Sequence, residues 1–225
     1  MKPSLLLSFL LLTGFSFPAA QPRLLAGLTG GYYEPTLTGF ESNAEIPAPQ
    51  FMAKNVLYGL SLEGQVFYNT RITYQGLNSR HSGKTVSGAD FSRTLTYRLL
   101  SLQTFYWPWR RVELNFSLGA VFGRGVINLN TKNASTDWDA LLSSYGNSAI
   151  QLSSSDKMTT WWLGYAGSIG LRYYLRSWLG LDLKAGFMHN GYRSSAWKFQ
   201  GKTVTGPALD LKRLPLFSLQ VLFGW

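Results

Sequence analysis

For chemistry, this chain of 225 residues offers two histidines, eleven carboxylates and no cysteine. The missing cysteine removes a thiolate nucleophile, a thiolate metal site, a disulfide framework and a lipidated cysteine together. His189 is followed by Asn190, Gly191, Ser194 and Ser195, so a histidine base and a serine nucleophile for acyl transfer stand within one short stretch. That chemistry also needs a carboxylate to orient the histidine, and the nearest later one is Asp210. A histidine outside a matching triad reads as a loop or membrane-edge residue. His81 is no better as a base, because Arg80, Lys84 and Arg93 surround it with positive charge. Two histidines and scattered acids give no metal-ligating spacing. No catalytic residue, metal ligand or cofactor is assigned.

Charge says more. Lys and Arg number 21 against 11 Asp and Glu, a formal net charge of +10. Arg80, Lys84 and Arg93, with His81 among them, form one basic group, and Arg193, Lys198, Lys202, Lys212 and Arg213 form another. Brought side by side, the two make a rim that draws in phosphate- or sulfate-bearing polyanions by salt-screened attraction. A third set, Glu63, Arg71, Arg98, Glu113, Arg172, Asp182 and Lys184, sits inside segments whose apolar residues alternate. On an inward face such charges persist when they are paired and hydrogen-bonded. They are expected to meet as an ion-paired cluster in a lumen, with a gated ion path as the alternative.

The elements that must position these groups are strands. Hydrophobic residues make up 45% of the chain, yet mean hydropathy is only -0.03, so apolar and polar residues are interleaved. In the last stretch Phe217, Leu219, Val221, Phe223 and Trp225 share one face, a wholly apolar one. An exposed edge so hydrophobic invites aggregation, and a barrel closed within lipid removes the problem. In the clearest other strand Val112, Leu114, Phe116, Leu118, Ala120 and Phe122 alternate with Glu113, Asn115, Ser117 and Gly119. Further strands run from Arg23 to Pro35, from Val56 to Glu63, from Thr70 to Gln75, from Trp161 to Tyr173 and from Leu179 to Phe187. A fourth, from Thr94 to Phe105, places Ser101 and Gln103 on the face of Leu95, Tyr97 and Leu99. The count of strands is eight.

Connections alternate in length. Long ones run from Thr36 to Lys54, from Arg80 to Ser92, from Asn128 to Lys157 and from Arg193 to Arg213, with a helical turn or two at Asp137 to Leu142. Short ones fall near Phe67, at Tyr106 to Arg111 and at Arg176-Ser177. This asymmetry is that of an outer-membrane barrel, with short periplasmic turns and long extracellular loops. Phe67, Tyr68, Tyr106, Trp107, Trp109, Tyr173, Tyr174, Trp178 and Trp225 fall at the short-turn end; Tyr32, Tyr33, Tyr74, Trp161, Trp162 and Tyr192 fall at the other. These are two aromatic girdles. Met1 to Ala20 carries one lysine, a short apolar run and small residues, as a secretory signal does. Residues 21–225 then form one barrel domain, an all-β, antiparallel, up-and-down transmembrane β-barrel of eight strands.

With Gly30-Gly-Tyr-Tyr-Glu-Pro35 in the first strand and Phe223-Gly-Trp225 at the end, the chain resembles the eight-stranded outer-membrane barrels of the OmpA-transmembrane, OmpX and OmpW kind. Those families more commonly end in Phe, where Trp225 stands here. The resemblance implies export, insertion by the barrel-assembly machinery and residence in the outer membrane beside lipopolysaccharide, with the apolar face of the last strand as assembly signal. The region after His189 also loosely resembles lipid A deacylase barrels, although Gly191 stands where those have a serine two residues after the histidine. The expected role is therefore structural or adhesive, through basic extracellular loops that contact lipopolysaccharide or another polyanion. A lipid A hydrolase and a narrow channel for small or apolar solutes are the alternatives. A monomer is expected, and export argues against nucleic acid as the partner.

Overall fold

The fold was analysed in a computed structural model, which describes residues 22–41, 43, 45, 46, 48–86, 88–130, 141–147 and 157–225. The expected leader, Met1 to Ala20, lies outside the described residues, as do residues 137–140 of the expected helical turns. Leu24–Tyr33 (β1), Val56–Phe67 (β2), Thr70–Lys84 (β3), Asp90–Trp109 (β4), Val112–Asn130 (β5), Lys157–Arg176 (β6) and Leu179–Asn190 (β7) follow in order, and Leu214–Gly224 (β10) closes the ring. Each pairs antiparallel with its sequence neighbour, β10 pairs with both β7 and β1, and a β5–β6 ladder completes the circle. This is a closed eight-stranded up-and-down barrel.

Period-two alternation decides which residues face out. Leu28, Leu60, Leu62, Leu102, Leu118, Ile169, Leu183 and Leu219 are all exposed on the outer wall. Along β1 the outward run from Leu24 to Tyr32, at about 3.3 Å per residue and about 40° tilt, covers roughly 20 Å of height, which matches a hydrocarbon band. Tyr106, Trp109, Tyr173, Trp178 and Trp225 edge this band at the short-turn end, and Tyr58, Trp161 and Tyr165 project outward toward the other. Three expected girdle residues instead face inward and are buried: Tyr33, Trp162 and Tyr174.

The lumen is divided. Its outer half is apolar, filled by Leu57, Leu77, Leu95, Tyr97, Leu99, Val121 and Trp162. The first loop lies over it, with short helices Thr38–Glu41 (α1) and Phe51–Asn55 (α2), and buries Leu37 and Phe40. The inner half is polar. This division corrects the reading of β4: Ser101 and Gln103 do share a face with Leu95, Tyr97 and Leu99, but that face is the inner one. Arg98, Leu100 and Leu102 point outward.

Two expected loops contain more structure than the sequence suggests. The connection from Arg80 to Ser92 is a hairpin extension, with Arg80 opposite Thr94, Lys84 opposite Asp90 and, beyond them, the Thr85 N–H donating to the Ala89 carbonyl at 2.9 Å. Above the lipid the outward residues meet water, so the ladder continues after the apolar alternation has stopped. The fourth loop carries Trp197–Phe199 (β8) and Lys202–Val204 (β9), and Phe199 of β8 pairs with Met158 of β6. Gln200 and Gly201 take positive φ of 50° and 79°, as the two central residues of a tight hairpin turn do. In the third connection only residues 141–144 are described as helical.

Closed ladders resist detergent. The folded protein is therefore expected to migrate differently on a gel before and after boiling, and an unchanged mobility together with recovery in soluble form would count against a membrane barrel.

Candidate functional site

At the short-turn end, inward positions on five strands carry charge. Glu113 on β5, Arg172 on β6 and Asp182 on β7 occupy directly opposed register positions, so ladder geometry alone sets a cation between two acids. Arg172 Nη2 donates to Asp182 Oδ2 at 2.7 Å and reaches across the lumen to both Glu63 oxygens at 2.8 Å. Its Nη1 lies 3.4 Å from Glu113 Oε1. Arg71 donates two parallel bonds to Glu113, at 2.6 and 2.9 Å, and lies over the Phe105 ring at 3.8 Å. Lys184 donates to Gln103 Oε1 at 2.7 Å and stands 3.7 Å from Asp182 and 3.9 Å from Glu63. Three cations thus meet three anions, and the side chains of Arg71, Arg172, Glu63, Glu113 and Asp182 have 0% exposure. Gly170 makes room for this: a Cβ there would lie 2.4 Å from Asn115 Oδ1 and 2.9 Å from Asp182 Oδ1. Above the cluster lies a cavity of about 20 Å³, lined by Thr73, Ser101, Ser117 and Ser168 among others, room for little more than one water. The arrangement is a plug.

Arg98 does not join it. Its side chain lies on the outer wall across β3, where a Cβ on Gly76 would come within 2.1 Å of its Nη1. The alternation of β4 puts it there, because apolar residues occupy both faces of that strand.

The expected rim residues divide as well. Arg80, Lys84, Arg193, Lys198, Lys202, Lys212 and Arg213 are exposed. Arg93 is not: it is 0% exposed inside the barrel, where Nη2 donates to the Ala53 carbonyl of α2 at 2.6 Å and to Ser79 Oγ at 3.2 Å. It fastens the first-loop lid to the wall. His81 is buried too, its ring edge-on to Phe91 at 5.9 Å. Both follow from the hairpin extension, whose inward face packs under the lid.

That extension changes the shape of the basic surface. Strands β3, β4, β5, β6 and β8 form one continuous sheet, and register places Arg80 and Lys84 of β3, Arg98 of β4, Arg124 of β5, Lys157 of β6 and Lys198 of β8 on its outward side. All six are exposed, and Asp90 is the acidic residue among them. Arg124 and Lys157 were missed by sequence reasoning, although the run Phe122, Arg124, Val126 extends the outward alternation of β5 without a break.

No family model matches this sequence, and no characterised relative matches it by sequence. By structure the chain is similar to Ail, the attachment invasion locus protein of Yersinia pestis, solved in complex with the heparin analogue sucrose octasulfate. The similarity covers 92% of this chain and 100% of that one, with a TM-score of 0.50 at 11% identity. The chain folds as an outer-membrane β-barrel. Neisserial surface protein A also aligns over 92% of this chain and 100% of its own, at 11% identity and a TM-score of 0.48.

Within an outer-membrane barrel the place of His189 is informative. It projects outward near the extracellular edge of β7, its ring stacked on Tyr165 at 4.9 Å. Ser194 and Ser195 lie in a 3₁₀ turn, and Asp210 pairs with the backbone of Thr36 and accepts the Lys212 N–H. Among the described residues no hydrogen bond joins His189 to a serine or a carboxylate, and no group of three or more His, Asp or Glu is set to hold a metal ion.

Proposed function

We propose that this outer-membrane barrel is a surface-binding protein of adhesin-like role, which docks polyanionic chains on the outward basic face of its extended sheet. The observation that carries the reading is the six outward cations on β3, β4, β5, β6 and β8, with Asp90 the one acidic residue beside them among the described residues. Neighbouring strands lie about 4.8 Å apart, so these charges form a sheet-like array that a flexible sulfated or phosphorylated chain can follow. Lipopolysaccharide phosphates at the membrane surface would meet its lower members, Arg98 and Arg124, first. The complex of Ail with sucrose octasulfate supplies a precedent for the chemistry on a barrel of this fold. The plugged lumen speaks for a role at the surface over conduction.

Charge-driven binding should weaken steadily with salt, since the Debye length falls from about 10 Å at 0.1 M to about 3 Å at 1 M. Reversing Arg124, Lys157 and Lys198 to Glu should lower affinity for heparin by at least about tenfold without altering the folded gel mobility. Heparin and lipopolysaccharide affinities indifferent to both salt and charge reversal would overturn the reading.

A further inference from the structure

The extracellular cap also holds a cleft of a different character. It is about 640 Å³ in volume and lies between the first loop, residues 141–147 and the fourth loop, within the size range of small-molecule sites. Three polar staples frame it. Asn43 Nδ2 donates to Ser144 Oγ at 2.8 Å, joining the first loop to residues 141–147. Asn147 exchanges two bonds with the Thr205 backbone, both 2.8 Å, joining that segment to the fourth loop. The Gly39 N–H donates to the Ala208 carbonyl at 2.8 Å, joining the fourth loop back to the first. Gly39 permits that contact, because a Cβ there would lie 2.4 Å from the Ala208 nitrogen. Each segment is tied to the other two. The cleft is preformed, which lowers the ordering cost of binding.

Its lining has a consistent chemistry. Hydroxyls come from Thr38, Ser143, Ser144, Ser194 and Thr205, and among the described residues no lysine or arginine lines the cleft. Hydroxyls both donate and accept, as sugar hydroxyls do. The Glu45 carboxylate also lines the cleft, and among the described residues it forms no ion pair or side-chain hydrogen bond, nor do the hydroxyls of Ser194 and Thr205. A carboxylate with two free oxygens can accept from two adjacent hydroxyls at once. Tyr145 adds a half-buried aromatic ring to the lining, its hydroxyl turned away from solvent beside Asn43. An aromatic ring beside hydroxyls is suited to a ligand with both C–H and hydroxyl faces. A phosphate or sulfate would meet Glu45 with no cation among the described lining residues to offset it, and an apolar ligand would strand the hydroxyls of Ser194 and Thr205.

We propose that this cleft binds an uncharged, hydroxyl-rich saccharide, at a site separate from the basic wall. The two sites differ in salt response: the wall attracts by charge, whereas the cleft binds by neutral hydrogen bonds and stacking, which salt screens little.

Folded protein in a zwitterionic, sugar-free detergent would be probed by saturation-transfer NMR with maltotetraose, chitotetraose and a galactose-terminated tetrasaccharide. At least one should bind, with an affinity that is unchanged between 0.1 and 0.5 M salt to within about twofold. Glu45→Ala, at a half-buried position, combined with Thr205→Val, at an exposed one, should weaken it by about tenfold or more, and Tyr145→Leu should weaken it independently. Reversal of Arg124, Lys157 and Lys198 should leave it intact while heparin binding falls, so the two readings fail separately. The proposal is overturned if none of the three saccharides binds, if the cleft variants bind as well as the parent at unchanged gel mobility, or if saccharide binding declines with salt in parallel with heparin.

Discussion

Replacing Arg172 with methionine should destabilise the folded barrel by about 3–5 kcal/mol, the range for removing one partner of a buried ion pair. Arg172 is the centre of the lumen cluster: it contacts Glu63, Glu113 and Asp182, all at 0% side-chain exposure. Without it three carboxylates share Arg71 and Lys184, and Glu63 keeps only Lys184 at 3.9 Å. Methionine fills much of the volume but supplies no donor. Glu113→Ala should act through the same physics in reverse, leaving the two parallel donors of Arg71 without an acceptor. Arg98→Met is the matched control, because Arg98 is exposed on the outer wall and surface substitutions usually stay within about 0.5 kcal/mol. Equilibrium unfolding by urea in lipid vesicles would separate the two arginines. Equal midpoints for Arg172→Met and Arg98→Met would show that the cluster is solvated and that the plug does not hold the barrel together.

That these two arginines look alike in the sequence explains where sequence reasoning stops. Arg172 stands between Leu171 and Tyr173, in a stretch of β6 where outward Ile169, Leu171 and Tyr173 are apolar and inward Ala166, Ser168 and Gly170 are small, so its face is unambiguous. Arg98 stands in a strand with Leu95, Tyr97 and Leu99 on one side and Leu100 and Leu102 on the other. Alternation of hydrophobicity distinguishes faces only where the lumen is polar, and the outer half of this lumen is an apolar core. The other misplacements share a cause at the opposite limit. Beyond the lipid edge the outward face of β3 and β4 meets water, the alternation fades, and a continuing ladder reads as loop. Arg93 and His81 were therefore assigned to a rim when they lie beneath a lid, and Arg124 and Lys157 were passed over. The cap was illegible for a further reason. Its staples join residues far apart in the chain, Asn43 and Ser144 being 101 positions apart, and no local pattern announces such a contact.

The final strand was the most legible, and its removal should have the largest effect on assembly. Phe217, Leu219, Phe223 and Trp225 are exposed on the outer wall, with Val221 half-buried on the same face. The β1–β10 ladder closes the ring, and its short-turn end is completed by Trp225 N–H donating to the Leu24 carbonyl at 3.1 Å and Leu24 N–H to the Trp225 carbonyl at 3.3 Å. Phe223 stacks on Trp178 of the turn before β7 at 6.2 Å, and the Gly224 N–H donates to the Trp178 carbonyl. Deleting Phe223 to Trp225 cuts these contacts together, and it opens a backbone edge within lipid, where an unsatisfied polar group costs several kcal/mol. Folded protein in the outer-membrane fraction should fall below about one tenth of the parent level, since one unsatisfied group alone outweighs the roughly 1.4 kcal/mol that a tenfold change represents. Trp225→Phe should restore assembly, because an aromatic ring and the backbone pairing are retained, whereas the double change Phe223→Ala with Trp225→Ala keeps the backbone and removes both rings. If the double variant assembles normally while the deletion does not, the ladder alone closes the barrel and the rings are dispensable. Normal yield from the deletion itself would mean that closure at this seam does not depend on its last three residues.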